Sequence, residues 1–262
     1  MDVLEFGKIL VTTEDLDPLY VALYRAKMPK RKLDRWLVAY WCYYHAGLCS
    51  RVAESRDFFG ELRKIALGGT LYPRGTERRH FRGKLAEDSV ESLRQRFSDA
   101  TEIVEWLLEV GPRADKIMKR VTELHGFGEW IKWKVPDMLD RLEVGRVEFR
   151  TEDLRQMFKT SKQGAEVTCE ACGIDSADSL LSAHEYLIEN LGYLTAPPIH
   201  ERTINVQETE TIFCKWKSHL GGHYPIGKDT RELIHGCLKF PCSTNKKLVG
   251  ILKAIRRRLP SG

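Results

Sequence analysis

A spacing of three and four residues between apolar side chains constrains the fold of this chain more than any other feature. Over residues 243–259 it places apolar side chains on one face, at Leu248, Ile251, Leu252, Ile255 and Leu259. Similar periodicity extends over residues 99–110, 129–142 and 176–190. Because residues three and four apart share a helix face, these patterns are typical of amphipathic helices. We therefore expect an all-α protein.

Residues 36–50 form the longest nearly uncharged stretch and are rich in Tyr, Trp and Cys. The stretch is too short to span a bilayer, so we interpret it as a buried central helix with Asp34 as its cap. Residues 203–214 are ambiguous, because Thr-Ile-Asn-Val alternates like a strand, whereas Asn205 is a good helix cap.

A polar segment suggests where the chain divides. Residues 159–167 are polar and carry weak helix signals. They predict a link between a helical core, residues 1–160, and a smaller C-terminal helical lobe, residues 161–262, packed on that core. A hydrophobic content of 42% with 30% charged residues is typical of a soluble globular protein. The net charge of +5 is compatible with an anionic partner.

The strongest chemical signal is the basic loop, which we define as residues 72–83. It gathers four arginines and one histidine within nine positions: Arg74, Arg78, Arg79, His80 and Arg82. Guanidinium groups match pairs of phosphate oxygens and stay charged at any cellular pH. The pattern favours a phosphate-binding loop. An exposed basic turn is the alternative, but Tyr72, Pro73 and Phe81 favour a shaped loop.

A second motif, which we call the hairpin turn, is Gly126-Phe127-Gly128 between two predicted helices. The first N–H groups of the second helix are unpaired and its dipole is positive there, which makes a seat for a phosphate. Lys132 adds positive charge nearby. The spacing alone favours the alternative, an ordinary helical hairpin whose glycines only turn the chain.

The hairpin turn resembles that of helix-hairpin-helix DNA glycosylases, which grip the backbone of duplex DNA there. Four blocks, residues 40–47, 72–83, 126–138 and 214–225, together resemble the phage alpha-glutamyl/putrescinyl thymine pyrophosphorylase family. Members of that family are also described as amino acid:DNA transferases. The two resemblances imply a helical core like that of the helix-hairpin-helix glycosylases.

The resemblance to the transferases implies a phage-encoded enzyme in the host cytoplasm. Its substrate would be double-stranded DNA that carries a phosphorylated or pyrophosphorylated 5-hydroxymethyluracil. An amine, such as glycine, another amino acid or putrescine, replaces that group, and the hypermodified thymine helps phages resist host nucleases. No membrane is involved, and residues 1–10 lack the apolar run of a secretory signal.

Two alternatives stay open. The chain is either a helix-hairpin-helix glycosylase that removes a modified base or a non-catalytic DNA-binding protein. Glycosylases of this fold place an aspartate at the mouth of the pocket, after the second hairpin helix. Residues 145–153 hold no convincing match to it, which weakens the glycosylase interpretation.

The implied reaction assigns roles to the basic loop and to nearby aromatic residues. The reacting carbon lies on a base edge, so we expect the nucleotide to flip out of the duplex. The side chains that could stack on it are Tyr40, Trp41, Tyr43, Tyr44 and Trp130, although for most of them we favour a place in the core. The departing phosphate would be bound by Arg74, Arg78, Arg79, His80 and Arg82. Of these, Arg78, Arg79 and His80 are also candidate catalytic residues.

The incoming amine must lose a proton, which requires a general base. We prefer Asp137, with a salt bridge to Lys134 on a helix surface as the alternative interpretation of that residue. Glu129, His45 and His219 are the other candidates.

The remaining predicted contacts belong to the donor and to the DNA backbone. The donor, above all the carboxylate of an amino acid, would be held by Lys215, Lys217, His219 and His223, with Lys228 as a further candidate. The DNA backbone would be gripped by Gly126, Phe127, Gly128, Lys132 and Lys134.

The seven cysteines are scattered, and their odd number argues against a disulfide framework. Cys169 and Cys172 have zinc-knuckle spacing, and Cys237 with Cys242 could complete a structural zinc site. The gap in the second pair is wide, however, so we predict neither a metal nor another cofactor. Cys42 could add to C6 of the base, but its apolar surroundings favour a buried inert thiol.

Overall fold

The computed structural model describes residues 1–75 and 78–260. These residues form helices and turns, with two isolated β-bridges and no β-strand, so the all-α prediction is confirmed. The helices are α1 (Val3–Thr12), α2 (Pro18–Ala26), α3 (Lys30–Tyr43), α4 (Ala46–Glu54), α5 (Phe58–Leu67), α6 (Gly83–Arg96), α7 (Ala100–Leu108), α8 (Ala114–Val121), α9 (Glu129–Arg141), α10 (Lys159–Cys172), α11 (Ser179–Leu191), α12 (Val206–Leu220), α13 (Lys228–Lys239) and α14 (Ser243–Arg256). Short 3₁₀ turns lie at Gly69–Leu71 and Thr151–Gln156.

The middle of the core is α3, in which every residue from Trp36 to Tyr43 is buried. The prediction of one helix over residues 36–50 is wrong, because the chain turns at Tyr44 with a φ of +50°. His45 then caps α4 by accepting a hydrogen bond from a backbone N–H. The apolar pattern hides this break, since both helices bury their side chains in the same core.

The residue predicted to cap the central helix has another role. Asp34 lies one turn inside α3 and is fully buried. Its carboxylate accepts hydrogen bonds from Lys30 and Thr101, which ties the start of α3 to α7. Asp34 therefore joins two helices instead of beginning one.

The other periodic segments form helices close to their predicted bounds, as α7, α9, α11 and α14. The ambiguous segment is helical as well, because α12 begins with a capping box. The Asn205 side chain accepts the N–H of Gln207, and the Glu208 carboxylate accepts the N–H of Asn205. Local capping, rather than strand-like alternation, decides the conformation of this segment.

The prediction that residues 159–167 form a polar link with little helix is wrong, because these residues lie in α10. The helix packs closely on α12 through small residues. A Cβ on Gly164 would lie 2.1 Å from the carbonyl oxygen of Phe213. Small residues that look like a linker in sequence therefore allow a close helix contact. The division into residues 1–160 and 161–262 stays a prediction.

Both ends of the chain contribute to one packed structure. Helix α1 packs on α11 and α12, and α2 packs on α13 and α14. No helix in the described part of the chain is both long enough and apolar enough to cross a bilayer.

Candidate active site

A cavity of about 720 Å³ opens where α2, α3, α9, α12 and α13 meet. Its walls carry seven aromatic side chains: Tyr20, Tyr40, Tyr44, Trp130, Trp133, Phe158 and Tyr224. Concave sites of this size, with mostly apolar walls and a few convergent polar groups, are typical of small-molecule and cofactor pockets. The volume and the flat aromatic surfaces suit a nucleobase.

The break between α3 and α4 shapes one wall of the cavity. The ring of Tyr44 meets the ring of Trp130 edge to face, with 4.5 Å between centroids. Gly75 packs under this turn, where its N–H donates to the Tyr43 carbonyl at 3.1 Å. A Cβ on Gly75 would lie 2.4 Å from the carbonyl oxygen of Tyr44. Three of the four sequence blocks, residues 40–47, 72–83 and 126–138, therefore meet at one wall.

The floor of the cavity combines two acids with two bases. We define this cavity floor as the lining residues Asp17, Lys134, Glu210 and Lys215. The Nζ of Lys134 lies 3.6 Å from Asp17 Oδ1 and 3.3 Å from Asp137 Oδ2. Behind Lys134, the fully buried Arg141 forms an ion pair with Asp17. This network holds the charges of the floor at fixed positions.

The two acids of the floor have opposite electrostatic surroundings. Burial alone would raise the pKa of Asp17, but Lys134, Arg141 and Lys215 outweigh it and hold that pKa below its ordinary value. At Glu210, burial raises the pKa above its ordinary value, and Lys134 and a hydrogen bond from Ser161 offset this only in part. Asp17 is therefore a stable anion, whereas Glu210 binds a proton more readily.

The bases of the floor are also held in place. Burial alone would lower the pKa of Lys134, but Tyr20, Asp17 and Asp137 raise it well above its ordinary value. Lys134 is therefore a permanent cation, largely buried in the wall of the cavity. The Nζ of Lys215 donates to the Asp15 carbonyl oxygen at 2.7 Å and to the Tyr224 hydroxyl at 2.6 Å, and it pairs with Asp229 at 2.7 Å.

Helix α13 brings more basic than acidic side chains to the cavity, although Asp229 and Glu232 also belong to the lining. On α13, a row of cationic or histidine side chains with spacings of three and four lines the mouth: Lys228, Arg231, His235 and Lys239. We call this row the α13 basic face. Arg74 and His223 also line the cavity. A phosphate that enters or leaves the cavity would pass these basic side chains.

Of the five basic-loop residues predicted to bind phosphate, only Arg74 lines the cavity. Its guanidinium also donates to the backbone carbonyls of Ile65, Tyr72 and Phe81. The loop residues Thr76 and Glu77 lie outside the described residues. Arg74 thus combines a structural role with a position at the cavity.

Arg78 is buried and joins the two motifs found in the sequence. Its Nε donates to the Cys42 carbonyl at 2.9 Å, and its Nη1 donates to the Gly126 carbonyl at 3.0 Å. The guanidinium stacks on Phe81, 4.0 Å from the ring centroid, and lies near Phe127. Arg78 therefore fixes the basic loop to the hairpin turn.

The other loop residues are more accessible. Arg79 and His80 are exposed and contact each other at 3.2 Å. Arg82 is half-buried and donates to the carbonyls of Arg79 and Gly69. None of the three lines the cavity.

The residues predicted to grip DNA fall in different environments. Gly126 has a φ of +79°, and a Cβ there would lie 2.1 Å from the Ser89 hydroxyl oxygen, so the position requires glycine. Gly128 precedes α9 as its N-cap, and Phe127 is buried. Lys132 pairs with Glu129 at the start of α9. The helix-hairpin-helix assignment stays a prediction.

The predicted bases and donor residues are likewise dispersed. Asp137 is fully buried behind the floor, where it accepts hydrogen bonds from Tyr20 at 2.6 Å and Gln207 at 3.1 Å. His45 lines the cavity, and burial lowers its pKa to about 4. His219 donates its Nδ1 proton to the Tyr224 carbonyl. Outside the cavity lining lie Glu129, Lys217 and His219, whereas Lys215, His223 and Lys228 belong to it.

The cysteines are all free thiols. Within residues 1–75 and 78–260, no three Cys, His, Asp or Glu side chains are grouped so that they could hold a metal ion. Cys242 accepts the N–H of Asn245 at the start of α14, and Cys169 contacts the Ser179 carbonyl. Cys42 is fully buried, and burial raises its pKa to about 12, which keeps the thiol protonated and unreactive.

Sequence reasoning missed two acids of the site and most of its rim. Asp17 precedes Pro18 and looks like an ordinary helix start, and Glu210 looks like one more polar residue of a helix. The α13 basic face, in contrast, left a detectable signal, since its four residues follow a helical spacing of three, four and four.

Comparisons with known proteins agree on one family. The model of the amino acid:DNA transferase family matches residues 59–224. A protein of Pseudomonas phage PaMx11, named glycinyltransferase, is 38% identical over 262 residues, and the match covers 89% of each chain. A protein of Delftia phage PhiW-14, named putrescinyltransferase, is 26% identical over 240 residues, which cover 86% of this chain and 75% of the relative.

Proposed function

Since the chain belongs to the amino acid:DNA transferase family, it is a DNA-modifying transferase that uses an amino acid or amine, and we propose that it acts on a phosphorylated 5-hydroxymethyluracil in double-stranded DNA. The amine nitrogen forms a bond to the exocyclic carbon of the base. The bond between that carbon and the ester oxygen breaks, and phosphate or pyrophosphate leaves with the electron pair. The nitrogen gives up a proton, so the transfer needs an acceptor for it.

The observation that carries this proposal is the combination of aromatic walls and positive charge in a single cavity. The rings of Tyr44 and Trp130 can face a base that has flipped out of the duplex, and base stacking offsets part of the cost of flipping. Arg74 and the α13 basic face lie where they can stabilise the charge of the leaving phosphate. A non-catalytic DNA-binding protein would need no such cavity.

The other predicted residues fit roles around this cavity. We assign the exposed Arg79 and His80, with Arg82, to the phosphates that flank the flipped nucleotide. Arg78 holds the loop against the hairpin turn, and Gly126, Gly128 and Lys132 are assigned to the DNA backbone. Lys215 and His223 are assigned to the donor.

We propose glycine as the donor. This choice is supported by the relative at 38% identity, which is named glycinyltransferase, against 26% for the relative named putrescinyltransferase. The mixed charges of the floor also suit a zwitterion better than a diamine, because a diamine offers no anionic group to Lys134 or Lys215.

The test is a transfer assay on a duplex that carries one 5-phosphomethyl-deoxyuridine. The protein is incubated with this DNA and either ¹⁵N-glycine or putrescine, and the digested nucleosides are analysed by mass spectrometry. We expect a labelled glycine adduct and release of one phosphate per adduct. A duplex with 5-hydroxymethyl-deoxyuridine is the matched control and should not react, because hydroxide is a poor leaving group. A released free base would instead support the glycosylase alternative, and unchanged DNA would contradict the proposal.

A further inference from the structure

The two carboxylates of the cavity floor differ in their contacts as well as in their charge. Asp17 faces Lys134 and Arg141, whereas the Thr211 hydroxyl lies 3.4 Å from a carboxylate oxygen of each acid. Glu210 accepts a hydrogen bond from Ser161 at 2.6 Å. Among residues 1–75 and 78–260, no lysine or arginine nitrogen lies within 4.0 Å of the Glu210 carboxylate. Glu210 is therefore a buried acid that lines the cavity and has no ion-pair partner among the described residues.

Transfer to the exocyclic carbon requires a group that takes a proton from the donor amine, because a protonated amine has no lone pair with which to attack. Asp17 is a poor acceptor, since its cationic partners stabilise the anion. Asp137 is surrounded by Tyr20, Gln207 and Lys134 and does not line the cavity. His45 is neutral but only weakly basic, because burial lowers its pKa to about 4.

We propose that Glu210 is the general base that deprotonates the donor amine, with Ser161 as the residue that positions its carboxylate. This inference rests on the proposed function. One proton first passes from the ammonium nitrogen of the donor to a carboxylate oxygen of Glu210, which frees the nitrogen lone pair. The nitrogen then forms its bond to the exocyclic carbon, and the product is a secondary ammonium. The electron pair of the breaking C–O bond leaves with the phosphate. Asp17 remains an anion throughout and can hold the ammonium group of the arriving donor.

The electrostatics of the floor agree with this division of roles. Burial raises the pKa of Glu210. At Asp17 the neighbouring cations outweigh burial and lower the pKa, so the two values move apart. Paired titratable groups whose surroundings push their pKa values in opposite directions are typical of acid–base sites. Lys134 lies near both acids and favours their ionised forms, which offsets part of the effect of burial on the pKa of Glu210.

The first test compares Glu210→Gln with wild type in the transfer assay. Glutamine keeps the size of the side chain and can still accept the Ser161 hydrogen bond, but it cannot take up a proton. We expect kcat to fall by about 10²–10⁴-fold, the usual contribution of a general base, with little change in KM for DNA. Glu170→Gln, at an exposed position of α10, is the matched control and should keep the wild-type kcat. Thermal unfolding of each variant checks that the fold is preserved.

The second test separates a base from a structural carboxylate through the pH profile. Because the reaction needs ionised Glu210, kcat/KM should rise with pH along an acid limb. The Ser161 hydroxyl stabilises the ionised form, so Ser161→Ala should raise the pKa of Glu210 and move that limb to higher pH. Glu210→Asp should recover part of the activity lost in Glu210→Gln.

The outcomes distinguish this inference from the proposed function. If wild type transfers glycine and Glu210→Gln keeps its kcat, or the acid limb is unmoved in Ser161→Ala, Glu210 is not the base although the function stands. If wild type transfers no amine to phosphomethyl DNA, the proposed function fails and the role of Glu210 fails with it. If Glu210→Gln loses kcat and the acid limb moves to higher pH in Ser161→Ala, the results support both the proposed function and the role of Glu210 as the base.

Discussion

The basic loop and the cavity floor both concentrate charge, but the chain builds them in opposite ways. The loop gathers its arginines within nine consecutive positions, and three of them, Arg74, Arg78 and Arg82, donate to backbone carbonyls. The floor collects Asp17, Lys134 and Glu210 from three distant helices. Charges that are adjacent in sequence here serve largely to shape a loop, whereas the mixed charges that face the cavity are assembled only by the fold.

The largest effect should come from the buried charge behind the floor. Arg141→Met removes the nearer of the two cations that pair with Asp17 and one of the two that pair with Glu208. We expect a loss of about 3–5 kcal/mol in the free energy of unfolding, measured by urea denaturation, because breaking a buried ion pair leaves an uncompensated charge. Arg146→Met is the control, since its side chain is exposed and its change should stay within about 0.5 kcal/mol. If Arg141→Met and Arg146→Met lost equal unfolding free energy, the buried charge behind the cavity floor would be no more important for stability than a surface charge.

Within the basic loop, the buried and exposed arginines should behave differently. Arg78→Ala leaves the carbonyls of Cys42 and Gly126 without their donor and should cost about 3 kcal/mol of unfolding free energy. Arg79→Ala, one position further on and exposed, should change it by less than about 0.5 kcal/mol. If both variants were equally stable, Arg78 would not be the structural link described above.

The floor should also make stability depend on pH through Asp17. Asp17→Asn should lose about 1.5–3 kcal/mol at pH 7, because charge-assisted contacts with Arg141 and Lys134 weaken. The folded pKa of Asp17 lies below its unfolded value, so its contribution is present above the unfolded pKa and is lost as the pH falls through the folded one. The difference between wild type and variant should therefore shrink below about pH 4. A difference independent of pH would argue that the Asp17 charge does not matter.

The smallest effect should come from single cations on the rim. Lys239→Ala removes one charge of the α13 basic face and should reduce the slope of log K for DNA binding against log salt by about 0.9. Lys253→Ala on α14, outside the cavity lining, is the matched control and should leave the slope unchanged. The same slope in all three proteins would place the DNA elsewhere.

Much of the fold could be predicted from the sequence, because helical periodicity and caps are local signals. The start of α12 at Asn205 and the course of α14 follow from such signals. The break at Tyr44 and the close contact at Gly164 could not, since they depend on what packs against them from far along the chain.

The site was predictable in part. The sequence blocks led to Tyr44, Arg74, Trp130 and Lys134, which line the cavity. Asp17 and Glu210 were missed because an acid acquires a perturbed pKa only through burial and neighbours, and neither is visible in the sequence.

We infer that the modified base enters the cavity beside the paired rings of Tyr44 and Trp130. Photocrosslinking with a duplex that carries 5-iodo-deoxyuridine at the target position tests it directly, because the iodine occupies the position of the reacting carbon. We expect crosslinked peptides that contain Tyr44 or Trp130, and their loss when an excess of 5-phosphomethyl-deoxyuridine duplex competes. Crosslinks confined to the exposed loop residues, around Arg79 and His80, would contradict it.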